Sequence, residues 1–245
     1  MCARAQEAGL REICFAEHVE IGHIYNTNWT GKLDWNRYSQ EIEKARAEYP
    51  ALKIHIGAEA GLQPHVLEET GTYLGKLPLD FILASQHVCG GADPYMDKTF
   101  YENRARKEAY MEFLKETYQC INHFNDFDVI GHLSYVAMFD PHPTPLEYHD
   151  YPEILDEILR SLAERGKGVE VNTTGYYFFD VPQASLSVLR RFRELGGEVV
   201  TTGSDAHFPV AVGHNFDLAS QLIREAGFRD VCTFEERKAI FHRLK

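Results

Sequence analysis

Asp205 and His207, two residues apart, follow a run of small and β-branched residues, Glu198-Val199-Val200-Thr201-Thr202-Gly203. Such a run reads as a strand, so the pair is delivered to one point at its C-terminal tip. A hard carboxylate and an imidazole on a rigid element are the ligand types of a divalent metal site. The same grammar recurs upstream, where apolar runs end in Glu17-His18, Gly57-Ala58-Glu59, Ser85-Gln86-His87 and Gly131-His132. Singly, each has an ordinary alternative, since a histidine after a strand is more often simply hydrogen-bonded. Glu59, set among Ile54, Ile56, Ala58 and Ala60, resists that reading, because a buried carboxylate is costly unless it is paired or metal-bound. All five runs offer oxygen or nitrogen at the same place in a repeat, and together they point to a metal site.

The elements that must position these residues alternate from end to end. Strand signals fall at 12–16, 53–57, 80–84, 127–130, 168–172 and 198–203. Helix signals fall at 1–8, closed by Gly9, at 34–49 behind the cap Asp34, and after Pro64. Further helices are expected at 101–124, at 152–166, at 185–195 before Gly196-Gly197, and at 215–226. The strands are short continuous apolar runs rather than strict alternations, which fits parallel strands buried on both faces with helices as crossovers. A doubly wound sheet would gather its site at one switch point. Ligand types after many different strands favour an α/β barrel with the site at its C-terminal mouth.

Composition narrows the function classes. The chain has 245 residues, 44% hydrophobic and 25% charged, without a linker or low-complexity stretch, and reads as one domain spanning 1–245. A net charge of -12 argues against a nucleic-acid partner, which needs dense Lys/Arg surfaces. It leaves room for a small phosphorylated substrate, because a metal's local charge outweighs the global field. No apolar stretch is long enough for a membrane span and the N-terminus has no signal-peptide layout. Five cysteines without a C-x-x-C pair fit reduced thiols, and a cytoplasmic location is expected.

In sequence order, Ile13-Cys14-Phe15-Ala16-Glu17-His18, Gly57-Ala58-Glu59, Ala84-Ser85-Gln86-His87, Val129-Ile130-Gly131-His132, Glu170-Val171-Asn172 and Gly203-Ser204-Asp205-Ala206-His207 resemble the polymerase-and-histidinol-phosphatase (PHP) superfamily of metal hydrolases. The stretches around Asp93-Pro94-Tyr95, Asp126-Phe127-Asp128 and Asn172-Thr173-Thr174-Gly175-Tyr176 are similar to its monofunctional histidinol-phosphatase branch. The resemblance spans essentially the whole chain. It implies a distorted, seven-stranded (β/α) barrel holding two or three divalent ions (zinc, manganese or iron). Glu59 would bridge two ions, one also bound by His87 and His132; Asp205 would join Glu59 on the other, and His18 and His207 would serve the third. Asp205 and His207 are thereby the candidate catalytic residues. Glu17 stands where relatives often have aspartate and is not taken as a ligand.

The family's first motif, His-x-His at the end of the first strand, is absent from the sequence, and the chain opens in the helix expected after it. The domain is therefore read as N-terminally incomplete, lacking the first strand and about a third of the ligand set. The implied chemistry is hydrolysis of L-histidinol phosphate, in histidine biosynthesis, by metal-activated water. Arg104, at the start of a helix after Asp93-Pro94-Tyr95, is a candidate for phosphate contact, with Arg106 and Lys107 beside it; Asn172 and Tyr176 follow a strand and could face the mouth. Two other readings stand: a phosphoesterase acting on nucleotides or other phosphate esters, and a non-catalytic metal-binding remnant. Oligomeric state is not legible in the sequence.

Overall fold

Six apolar runs become strands because each is bracketed by helix stops and turns that return the chain to the same end of one sheet. The computed structural model describes residues 1–102 and 104–244. Strands β1 (Glu12–Val19), β2 (Lys53–Gly61), β3 (Phe81–Ser85), β4 (Val129–Ile130), β5 (Gly168–Asn172) and β6 (Val200–Gly203) pair in sequence order, all parallel. The sheet is curled into a half-barrel whose edges are β1 and β6. In register, His18 lies beside Glu59 and Asn172 beside Gly203, so the chemistry-bearing positions line up at one end.

The helices are α1 (Cys2–Glu7), α2 (Trp35–Glu48), α3 (Leu67–Leu74), α4 (Arg106–His123), α5 (Tyr135–Met138), α6 (Pro152–Glu164), α7 (Gly175–Phe178), α8 (Leu186–Glu194) and α9 (Phe216–Glu225). They pack in sequence order, α4 on α6, α6 on α8 and α8 on α9. On α6 the buried residues Ile154, Leu155, Ile158, Leu159 and Leu162 form a single helical stripe. Asp34 caps α2 as expected, accepting from the Arg37 amide at 3.2 Å. Two expected starts move later. A separate 3₁₀ turn, Lys98–Tyr101, capped by Asp97, precedes α4, and α3 begins at Leu67 rather than in the turn holding Pro64. Among the described residues no helix is long and apolar enough to cross a membrane.

An antiparallel hairpin, β7 (Asp230–Glu235) and β8 (Lys238–Arg243), is not evident from the sequence pattern. Its two-residue turn, Glu236-Arg237, has φ of 48° and 65°, where a hairpin normally places Asn or Gly. Tertiary contacts hold it there instead. Arg237 pairs with Asp126 at 2.9 Å and with Asp128 at 2.6 Å, and Asp80 accepts from the backbone amides of Glu236 and Arg237. So anchored, the hairpin packs Cys232 and Phe234 against Leu83, Val129 and Val199 in a small core of their own. The main core lies between the sheet and the helices.

Arg237→Ala removes the partner of Asp128, whose side chain is 6% exposed, and leaves the Ile82 amide as that oxygen's donor. The variant is predicted to lose roughly 2–4 kcal/mol of stability, read as a lower urea midpoint at unchanged m-value.

Candidate metal centre

Four strand ends converge on one buried point. Glu59 lies near the end of β2, and His87 and His132 each stand two residues beyond the ends of β3 and β4. The His132 Nε2–Glu59 Oε1 distance is 2.9 Å, His87 Nε2–His132 Nε2 is 3.2 Å and His87 Nε2–Glu59 Oε1 is 3.3 Å. Two ligands at zinc–nitrogen or zinc–oxygen bond lengths around one tetrahedral ion sit about 3.3 Å apart, so these three atoms are spaced as ligands of one ion. The second Glu59 oxygen, Oε2, faces His18 Nδ1 at 3.6 Å. One carboxylate thus touches both halves of the cluster.

The electrostatics favour positive charge here. Burial alone would push Glu59 up, but His18, His132 and His87 hold it well below the usual carboxylate range. Burial disfavours charge on His87 and His18 too, yet Glu20 and Glu59 hold both above the ordinary imidazole value. Nδ1 of His132 and Nδ1 of His18 are buried without a hydrogen-bond partner among the described residues. Two buried carboxylates, three imidazoles and two orphaned ring nitrogens are a donor set suited to divalent ions.

Asp205 and His207 follow β6 and line a cavity of about 510 Å³ together with His18, Glu59, His132 and Asn172. Asp205 has φ of 47°, a left-handed conformation that aspartate tolerates better than most residues. His207 is exposed, with its ring centroid 6.0 Å from that of His18. Its Nδ1 lies 3.0 Å from the Asp205 carbonyl oxygen; a carbonyl only accepts, so Nδ1 carries the proton and Nε2 keeps its lone pair. Asn172 is fully buried, donating to Glu170 and accepting from the Thr174 amide. Arg104 and Tyr176 are not among the residues lining the cavity. Arg104 pairs with Glu112 at 3.2 Å and lies over the Phe100 ring; Tyr176 sits half-buried on α7. Arg106 is tied to Asp140 by two hydrogen bonds.

Two carboxylates were not taken as site residues from the sequence, although Glu170 falls within one of the resembling stretches. Glu20 is buried beside His87 and His18. Glu170 on β5 accepts from the His132 amide at 3.0 Å. The signal for Glu170 was the one that marks out Glu59, a single carboxylate in an apolar strand. Glu20 could have been found by continuing the strand alternation two residues beyond His18. Trp29, in the loop after β1, packs on His18 at 5.2 Å between ring centroids, and Tyr135 stands edge-on to His87; no spacing in the sequence marks either.

A family model described as "PHP domain" matches residues 1–174. The histidinol-phosphatase of Lactococcus lactis is 34% identical over 235 residues, covering 94% of this chain and 85% of that protein. A Clostridium acetobutylicum protein named "Probable histidinol-phosphatase" is 27% identical, over 92% of this chain and 86% of its own length. The crystal structure of Lactococcus lactis histidinol phosphate phosphatase, complexed with zinc, L-histidinol and phosphate, matches with a TM-score of 0.84 at 32% identity. That match covers 97% of this chain and 90% of the other.

Burial, and then the nearby Asp205 charge, push the Glu170 carboxyl up to about 7. Below an unfolded-state pKa near 4.5 both states hold the proton, so the effect is nil; between about 4.5 and 7 the unfolded chain releases it while the folded state keeps it, so stability falls by about 3 kcal/mol over that window and levels off once the folded carboxyl ionises above about 7. In metal-free protein, Glu170→Gln is predicted to match the wild type in stability at pH 4–5 relative to its own baseline and to gain up to about 3 kcal/mol on it by pH 8. Urea denaturation across that range measures the difference.

Proposed function

The chain belongs to the PHP domain family, and from that premise we propose that it is a metal-dependent phosphomonoesterase that hydrolyses L-histidinol phosphate to L-histidinol and phosphate. The observation that carries the proposal is the convergence of Glu59 Oε1, His87 Nε2 and His132 Nε2 within 2.9–3.3 Å of one another. Similarity to a histidinol phosphate phosphatase complexed with zinc, L-histidinol and phosphate supports the choice of substrate. On this reading two or three divalent ions (zinc, manganese or iron) are held by His18, Glu59, His87, His132, Asp205 and His207. Bound there, they would supply the Lewis acidity that phosphate-ester hydrolysis needs.

The protein's own groups do the rest. Glu59 joins the two halves of the cluster through its separate oxygens. Buried carboxylates offset the charge of the ions. Leu83 and Phe234 also line the cavity, and an apolar wall would strengthen electrostatic interactions with a bound phosphate. His207, with Nδ1 engaged and Nε2 bearing its lone pair, can ligate or take a proton at the mouth. Of the candidate substrate contacts, Asn172 is the one lining the cavity; Arg104 would have to leave Glu112 to reach an anion. The six strands would belong to a distorted barrel of the seven-stranded type, with β1 and β6 at the edges of the half-barrel. The protein would act in the cytoplasm.

No Lys or Arg is among the described residues lining the cavity, which favours a second reading, a metal-binding protein without turnover. One assay separates the two. The purified chain, supplied with zinc, manganese or iron, is expected to release phosphate from L-histidinol phosphate at least about tenfold faster, by kcat/KM, than from a nucleoside monophosphate, and to stop on chelation. Equal rates on all monoesters would remove the substrate assignment. Stoichiometric metal with no phosphate released from any ester would establish the second reading.

A further inference from the structure

Glu20 does not line the cavity, yet it is only 1% exposed and sits against the metal cluster. Its backbone is fixed just beyond β1, where Glu20 and Gly31 exchange two hydrogen bonds of 2.9 and 2.8 Å. From there the carboxylate enters the space beside β2. Oε1 meets His87 Nδ1 at 2.5 Å. Oε2 lies over Gly61, so closely that a Cβ on that residue would stand 1.9 Å from it. The absence of a side chain at the end of β2 is what lets the carboxylate sit there.

His87 is therefore gripped on both nitrogens. Nδ1 faces Glu20, and Nε2 faces Glu59 Oε1 and His132 Nε2 at 3.3 and 3.2 Å. A carboxylate can only accept, so Glu20 keeps the ring proton on Nδ1, and Nε2, facing Glu59 and His132, is the nitrogen that would give up its proton to a bound ion. Tyr135, edge-on with centroids 5.0 Å apart, restricts the remaining rotation of the ring. A carboxylate behind a ligating histidine fixes its tautomer and orientation and raises its basicity.

We propose that Glu20 is the positioning residue for His87, holding Nδ1–H so that Nε2 is presented to the ion shared with Glu59 and His132. This rests on the metal-dependent reading of the site. Glu20 also lies 3.4 Å from His18 Nδ1, a separation that would suit a direct ligand. The placement of its oxygens favours positioning, because Oε1 is taken by His87 and Oε2 is turned onto the Gly61 backbone rather than into the cavity.

Zinc affinity and stoichiometry, measured by competition with a chromophoric chelator, test this on the wild type, Glu20→Gln, Glu20→Ala, Gly61→Ala and the Glu20→Ala/Gly61→Ala pair. Glu20→Ala is expected to keep the zinc stoichiometry and bind about 10–100-fold more weakly at the affected site. Glu20→Gln, which retains an acceptor oxygen, should lose less, about threefold to tenfold. Gly61→Ala, which displaces the carboxylate without altering a charge, should resemble Glu20→Ala and add nothing in the double variant, since it acts through the same contact. If Glu20→Ala does not fold, Glu20→Gln and Gly61→Ala decide alone. Wild-type affinity in Glu20→Gln and Gly61→Ala would overturn the proposal, as would the loss of a whole zinc equivalent in any Glu20 variant, which would make Glu20 a ligand. A wild type that binds no zinc would instead bring down the metal-dependent reading and this inference with it.

Discussion

Glu59 is the constraint around which the upper half of the sheet is arranged. A carboxylate buried on a central strand is untenable in isolation, and every neighbouring strand end contributes something that makes it tenable. His18 comes from β1, His87 from beyond β3 and His132 from beyond β4. Parallel pairing is what makes this possible, because it brings the C-terminal ends of all six strands to one side. An antiparallel sheet would have split the same residues between two ends.

The half-barrel's inner space divides by polarity along the strands. Toward the C-terminal ends stand imidazoles and the carboxylates Glu59 and Glu170; toward the other end Leu83, Val129 and Val199 meet Cys232 and Phe234 of the hairpin. The hairpin packs against that end and lines the same cavity as the polar cluster. Two glycines complete the division. Gly61 and Gly203 face carboxylates that would collide with any Cβ, Glu20 at 1.9 Å and Glu170 at 1.8 Å. Small residues at strand ends thus make room for buried charge as well as for turns.

The loops add a second layer. Trp29 covers His18, and Tyr135 stands against both His87 and His132, so the imidazoles are walled by aromatic faces that limit ring rotation. His207 and Asp205, just beyond β6, remain nearer solvent. The outcome is a site rigid at its base and accessible at its rim, which suits a small polar ligand entering from the mouth.

Much of this was legible in the sequence, and the limits have physical causes. Apolar runs ending in ligand types marked the six parallel strands and placed the candidates His18, Glu59, His87, His132, Asp205 and His207 at or just beyond their ends, because strand period and helix stops are local properties of the chain. The hairpin was not legible: its turn is stabilised by Asp80, Asp126 and Asp128, far away in sequence, rather than by turn residues of its own. Glu20 and Glu170 escaped for a related reason, since what distinguishes a buried carboxylate from a solvated one is the glycine or amide on another strand that receives it. The sequence by itself determined which residue types stand at the strand ends and that those ends share a side. Only the tertiary structure decided which of them meet, what each nitrogen of His87 faces, and that Arg104 is held by Glu112 rather than free for an anion, because distances across a curled sheet depend on twist, packing and the neighbours each side chain finds.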